Sequence, residues 1–395
     1  MSYPTTFRTY IQRTITYALA QVQEYPYLLP DDVNEQALHA LDYGFDFEDG
    51  WESVRTLLLA MSPRMEQAGL REDWLRYLRK GIDCSQSHQD QRTAGELELD
   101  IAMLHRMLSD FETAQTWVQS AIAKAEEVND SSLVAKALNE LAWIEQLKRD
   151  YENATIHAQA ALALSAEADI ERGMAFRVLG MVALRKNQLE EAEVLQRSAL
   201  AIFRQNHDIR RSAWSLQNLA LALRMQKKFD EAFISFQQAA DALKQIGDLY
   251  HWAVVKMNLG AAYFHYGMPQ IALLHYQESE YQAVLNRDVL QLANVCNCLG
   301  LDYLKLKQFT EAEQYFTKAI SLFKKLADDE WRLNNVDGLA MVYLAQGKFI
   351  QAQQLLESAI ADLHLIKESA SYEYLDKSLN EHLEQAKRGQ DSTNH

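Results

Sequence analysis

One pattern of apolar, small and polar positions recurs along this chain. The stretch "KQFTEAEQYFTKAI" (307–320) superposes on "KKFDEAFISFQQAA" (227–240), "NQLEEAEVLQRSAL" (187–200) and "GKFIQAQQLLESAI" (347–360). In each, an apolar residue opens a segment whose small and apolar residues recur at the spacing of one helix face. A central alanine falls at 114, 154, 192, 232, 272, 312 and 352, every 40 residues except for one step of 38. Seven residues later come Ala121, Ala161, Ala199, Ala239, Ser279, Ala319 and Ala359. Twelve residues before it come Ala102, Ala142, Gly180, Ala220, Gly260, Gly300 and Ala340. Of these 21 positions 20 are Ala or Gly, which together make up about a sixth of the chain, so a shared packing requirement selects them. Residues seven apart lie on one helix face two turns on, and a small side chain there lets a neighbouring backbone approach. The pattern therefore predicts seven helix pairs. The second helix of each pair is expected just after Phe111, Tyr151, Leu189, Phe229, Pro269, Phe309 and Phe349. Asp130, Asp169, Asp208, Asp248, Asp288 and Asp328 stand where the next pair begins and are suited to capping it.

Both ends depart from the pattern. Trp74 and Gly81 lie 40 residues before Ala114 and Ala121, so "DGWESVRTLLLAMSPRMEQAGLREDWLRYLRKGI" reads as a degenerate pair over about 47–87, as terminal repeats commonly are. Two further helices are expected near 5–23 and 31–43. At the other end Leu375, Leu379, Leu383 and Ala386 form a stripe suited to a capping helix, with "RGQDSTNH" as a frayed tail. The expected organisation is an N-terminal helical region over 1–87, repeats over 88–367, and a cap with its tail over 368–395.

These positions carry a resemblance. The array resembles the tetratricopeptide repeat, whose pattern has small residues at the three positions and an aromatic entering the second helix; "LGAAYFHYG" (259–267) and "LGLDYLKLKQFTEA" (299–312) match it closely. The period exceeds the usual one, as in family members with lengthened helices. The resemblance implies an all-α fold, a right-handed superhelix of stacked helix pairs. The N-terminal region resembles the segment leading into the repeat arms of bacterial STAND-type ATPases, but no GxxxxGK[ST] loop occurs.

Composition narrows the function. Only 5 Pro and 14 Gly among 395 residues leave little room for an all-β or disordered chain. A net charge of −16 speaks against nucleic acid as partner. No apolar run approaches a membrane span, and the N-terminal stretch lacks the core of a signal peptide, so a cytoplasmic protein with reduced thiols is expected. Cys296 and Cys298 project about 200° apart on a helix, which excludes joint chelation, and no metal or other cofactor is expected. Neither HExxH, GxSxG, CxxC nor a glycine-rich phosphate loop is present. A non-enzymatic protein is the expectation, with Glu190, Glu191 and Glu311 as solvated residues of helix starts.

The resemblance places ligands in the groove lined by the first helix of each pair. Carried onto this chain, the groove positions nominate Asn139, Trp143, Arg177, Arg185, Trp214, Gln217, Asn218, Arg224, Asn258, His265, Asn297 and Asn334. Asparagines pair with both groups of an extended backbone, aromatics supply apolar contact, and Arg177, Arg185 and Arg224 attract carboxylates. The leading expectation is a scaffold that binds a peptide or protein segment, one with acidic groups, in bacterial signalling or complex assembly. A sharper version resembles the repeat receptors of quorum-sensing peptides. A second reading is a response-regulator phosphatase-type regulator acting through its N-terminal helices. A third is a self-associating array, a homo-oligomer joined through its end repeats.

Overall fold

The computed structural model describes residues 5–47, 50–67, 71–369 and 371–393. It divides into two compact units, residues 1–249 and 250–395. Among the described residues every regular element is helical, and there is no strand.

The first unit begins with α1 (Thr5–Glu24) and α2 (Asp31–Gly44), close to the expected bounds. α3 (Trp51–Gln67) and α4 (Arg71–Ser87) follow. Trp74, standing where later repeats have alanine, is fully buried among Leu57, Leu58 and Met61, and its indole N–H donates to Ser62 Oγ at 3.1 Å. Four helix pairs come next: α5 (Gln91–Met107) with α6 (Phe111–Glu127), α7 (Ser131–Leu147) with α8 (Tyr151–Leu164), α9 (Ile170–Arg185) with α10 (Leu189–Gln205), and α11 (Ile209–Met225) with α12 (Phe229–Gln245). Phe111, Tyr151, Leu189 and Phe229 are themselves the first residues of their helices, which thus begin one residue earlier than the pattern implied.

Turn chemistry explains why the pairs recur so regularly. The residue two before a helix commonly adopts left-handed φ, as at Ser109 (62°), Asn129 (53°) and His207 (55°). This turn lets the next amide bond back to the preceding helix, as Asp110 N does to His105 O at 2.9 Å. The aspartate that follows then caps the new helix. Asp130 and Asp208 accept from the N–H three residues on, Asp169 from that of Glu171, and Asp288 and Asp328 do the same in the second unit. Asp90, Asp110 and Asp150 add caps that the spacing had not suggested. Each such cap is worth about 1 kcal/mol. Asp248, expected to cap, accepts an arginine, as described below.

The second unit holds α13 (Leu249–Tyr266, from Tyr250 on), α14 (Pro269–Leu285), α15 (Val289–Lys305), α16 (Phe309–Lys325), α17 (Asp329–Ala345), α18 (Phe349–Asp362), a short 3-10 turn (Leu363–Ile366) and α19 (Tyr372–Thr393). Here the packing logic of the small positions is most plainly visible. The fully buried ring of Phe316 on α16 lies against two glycines. A Cβ at Gly300 would sit 2.9 Å from it, and one at Gly338 only 2.4 Å away. Gly300 belongs to the first helix of the same pair and Gly338 to the first helix of the next, so one ring fills the space two missing side chains leave. Cys296 and Cys298, just before Gly300, join different apolar clusters, and neither is in a disulfide. Burial pushes the Cys296 thiol up to about 12.

Leu375, Leu379, Leu383 and Ala386 bury one face of α19, against α17 and α18. Over the stretch expected as a tail, α19 runs on to Thr393; Gly389 admits the ring of Phe349 at 2.4 Å from where a Cβ would stand, and Gln390 bonds Gln353 at 2.7 Å. Asn394 and His395 lie outside the described residues.

Candidate functional site

The groove positions of the first unit come from α5, α7, α9 and α11, the first helices of successive pairs. Trp143 lies one residue after the small position of α7, Arg177 three before that of α9, and Trp214 six before that of α11. These offsets share one helix face, so stacking the pairs brings the three side chains into register. Arg177 is held between two indoles, its Cζ 4.1 Å from the ring centre of Trp143 and 4.8 Å from that of Trp214. Arg210 continues the stack on Trp214 at 4.8 Å, and Arg106 approaches Trp143 at 6.0 Å. Desolvated contacts of this kind are worth up to about 2 kcal/mol each.

The arginines around this stack are paired with carboxylates, with one exception. Arg106 binds Glu140 at 2.5 Å and Arg211 binds Asp208 at 2.6 Å. Arg210 takes two partners: Glu66 in a fork at 2.7 and 3.1 Å, and Asp248 at 2.7 Å. Arg177 has no carboxylate partner among the described residues. Its Nη1 approaches only Met174 Sδ at 3.7 Å, and its buried Nε has no hydrogen-bond partner. Burial lowers its pKa, repulsion from Arg106, Arg211 and Arg210 lowers it further, and Glu140 only partly opposes them, leaving it at about 9. It therefore still carries its charge at neutral pH. Arg210 shows the opposite balance: burial alone would lower its pKa, but Glu66 and Asp248 more than reverse this and raise it.

Sequence reasoning missed Glu66, Arg210 and Asp248. Glu66 sits at the end of α3 and reaches Arg210 at the start of α11 across 144 residues of sequence. The same end of α3 meets α5, where burial raises the pKa of Asp100, opposed by Lys136 and a bond from Ser62. The N-terminal helices thus lie against the first-helix face of the repeats in this unit. No periodic signal in the sequence marks such a contact.

The other nominated residues vary in their surroundings. Asn139 is buried and donates to the backbone oxygen of Glu171 and to its carboxylate, both at 2.9 Å, tying α7 to α9. Its Oδ1 is buried without a partner, as is the Nδ2 of buried Asn218. Gln217 and Arg224 are partly buried on α11, and Arg185 is exposed at the end of α9. In the second unit Asn258, Asn297 and Asn334 are partly buried on α13, α15 and α17, while His265 is exposed and edge-on to Phe264 at 5.6 Å. Among the described residues no group of three or more His, Cys, Asp and Glu is placed to hold a metal. No helix among them is long and apolar enough to cross a membrane.

Comparison with known proteins agrees with this architecture. Residues 171–245 and 289–363 match the tetratricopeptide repeat family model. No curated protein matches the sequence. Among solved structures, the chain is similar to a Signal Transduction ATPase with Numerous Domains protein with a tetratricopeptide repeat sensor from Pyrococcus horikoshii (TM-score 0.61, 15% identity). That match covers 87% of this chain but only 52% of the larger protein. It is also similar to a Rap protein complexed with Competence and Sporulation Factor (TM-score 0.55, 14% identity, 85% of this chain and 99% of the other). A third is the apo form of the quorum sensor NprR from B. thuringiensis (TM-score 0.54, 14% identity, 70% and 78%). At these identities the likeness is one of fold.

Proposed function

For a chain built on tetratricopeptide repeats, we propose a non-catalytic scaffold role, in which a peptide or protein segment is bound along the first-helix face of the repeats. One observation carries the reading. On three successive first helices, α7, α9 and α11, a buried polar atom has no partner: Asn139 Oδ1, Arg177 Nε and Asn218 Nδ2. Buried polar groups are normally satisfied, and each exception calls for an explanation. An extended segment offers alternating N–H and C=O groups, the complement that amide and guanidinium side chains require. Trp143 and Trp214 beside them supply the apolar contact of a binding hot spot. The similar structures named for Competence and Sporulation Factor and for quorum sensing are in keeping with a ligand-responsive array in bacterial signalling or complex assembly. A partner with acidic groups and a cytoplasmic setting belong to the same reading, as does the division into an N-terminal helical region, repeats and cap.

The test is capture from host lysate on immobilised full-length chain, beside a triple variant carrying Arg177→Ala, Asn218→Ala and Arg224→Ala with its helicity verified by circular dichroism. A partner retained by the wild type and lost by the variant is expected. Equal capture by both would move binding off this face and remove the reading.

A further inference from the structure

Large apolar side chains on a protein surface are usually scattered singly, and a contiguous run of them marks a contact with something else. The outward face of α14, in the second unit, carries such a run. Leu274, Tyr281 and Leu285 are 60%, 68% and 57% exposed, with Ile271 and Val284 exposed beside them. The repeat does not require this. On α16 the positions equivalent to Ile271, Leu274, Tyr281 and Leu285 hold Glu311, Gln314, Ser321 and Lys325. Ile271, Leu274, Glu278, Tyr281 and Leu285 also follow one another at alternating steps of three and four residues, the spacing of a seam that packs on a second helix. Glu278 interrupts the seam without bringing a bare charge to it. Its Oε2 meets Lys256 Nζ at 2.5 Å and His275 Nδ1 at 3.5 Å. Its Oε1 and the Tyr281 hydroxyl make no bond among the described residues, so an acceptor and a donor stand unused on one face.

The geometry points to this face as the contact between two copies of the chain, packed α14 against α14 in antiparallel sense across a twofold axis. Such a contact must be self-complementary, and this seam is. With the axis midway between Glu278 and Tyr281, residues equally far on either side of it meet. Leu274 then lies against Leu285 of the second copy, and Tyr281 against Glu278 of the second copy, and each pairing occurs twice. The tyrosine hydroxyl donates to the unused carboxylate oxygen, so the one acid of the seam gains a donor. Parallel packing, or an antiparallel one centred on Glu278, would instead set the two Glu278 carboxylates against each other. The area suffices. The five apolar side chains expose on the order of 500 Å² per copy, so the pair covers about 1,000 Å², the lower bound of a specific interface. A reversible dimer of roughly micromolar affinity is the scale such a contact supports. The contact stands away from the end repeats and is independent of the groove reading.

The experiment is sedimentation velocity on the full chain from about 1 to about 200 μM, a range that brackets the affinity an interface of this size supports. The expected result is a reversible monomer–dimer equilibrium. Leu274→Asp or Leu285→Asp should weaken it by about thirtyfold or more, since each puts two unpaired carboxylates into the apolar seam. Gln314→Asp, at the position of Leu274 on α16, should leave it unchanged. Tyr281→Phe keeps the ring and removes the hydroxyl, so the loss of two bonds to charged acceptors should weaken the dimer by about tenfold or more. All four positions are exposed, and circular dichroism checks that each variant keeps its helicity. A chain that stays monomeric at every concentration would overturn the proposal. So would a dimer indifferent to Leu274→Asp and Leu285→Asp, because its contact would lie elsewhere. A dimer lost in those variants but unaffected or strengthened by Tyr281→Phe would overturn the antiparallel pairing.

Discussion

The Glu66–Arg210–Asp248 cluster permits a sharp test, because its charges do not balance. The exposures of its side chains are 14% for Arg210, 5% for Glu66 and 0% for Asp248. One guanidinium thus serves two buried carboxylates, and the cluster carries a net negative charge. Arg210→Met leaves two carboxylates facing each other without a counter-ion. Breaking a buried pair from one side costs about 3–5 kcal/mol, and here two groups are orphaned. Glu66→Gln removes the fork but leaves Arg210 paired with Asp248 in a neutral couple, so its cost should be nearer 1–2 kcal/mol, about that of a charge-assisted hydrogen bond. The double variant should be less damaged than the sum of the two, since Glu66 is no longer present to be orphaned. At about 2–4 °C per kcal/mol for a unit of this size, Arg210→Met should lower the unfolding temperature by roughly 6–20 °C. Tryptophan fluorescence during heating reads this directly, because Trp214 lies on Arg210. An Arg210→Met variant no less stable than Glu66→Gln would refute the reasoning, since it would mean that neither carboxylate depends on the arginine.

Further expectations concern the second unit. Asp302 is fully buried with neither oxygen bonded, and burial, only partly opposed by Lys305, raises its carboxyl from 3.8 to about 7. A raised carboxyl pKa means that the folded state holds a proton the unfolded state has released, so stability falls as pH rises from about 4 to 7 and stays lower above. Asp302→Val should remove that slope and raise stability at pH 8 by about 2–4 kcal/mol, measured by urea unfolding at pH 5 and 8. His382 on α19 is bonded to Asp337 at 2.6 Å; that bond raises its pKa, burial opposes the rise, and the charges of Asp337 and Glu381 add to it. Its contribution is complete below about 6.5 and is lost as pH rises through the elevated value. Hydrogen exchange of α19 should therefore quicken, beyond the intrinsic rate, as pH rises from 6 to 9, and His382→Gln should flatten the difference. Gly338→Ala places a methyl 2.4 Å from the Phe316 ring and should cost about 1–3 kcal/mol by overpacking. Gly347→Ala, with open space around it but φ at +73°, should cost only about 1–2 kcal/mol through backbone strain. Chemical denaturation of the two variants gives the comparison.

The parts of this molecule that could be read from its sequence are those that each repeat must solve again. Ala114, Ala154 and their successors are buried at one spacing because each pair packs on its neighbours in one way, and that repetition is visible without any structure. Trp143, Arg177 and Trp214 could be nominated for the same reason: a position on the first helix keeps its direction from pair to pair. Contacts made only once leave no such trace. Glu66 meets Arg210 across 144 residues, and neither lies at a position the repeat distinguishes. Asp302 breaks the pattern in a readable way, since the equivalent positions hold Leu104, Ile144, Val182, Ala222, Ala262 and Val342. An acid in that series is a local conflict between sequence and fold, and such conflicts mark sites of strain or function. Arg177 is a conflict of another kind. Its position is an ordinary groove position and its residue type suits a groove. Only the ion pairs of Arg106, Arg210 and Arg211 reveal that Arg177 makes none of its own, the second carboxylate on Arg210 bringing four arginines and four carboxylates into balance. The chemistry of the groove therefore resides less in the repeated positions than in the single ion pairs around them, which decide which of the repeated side chains remains unsatisfied.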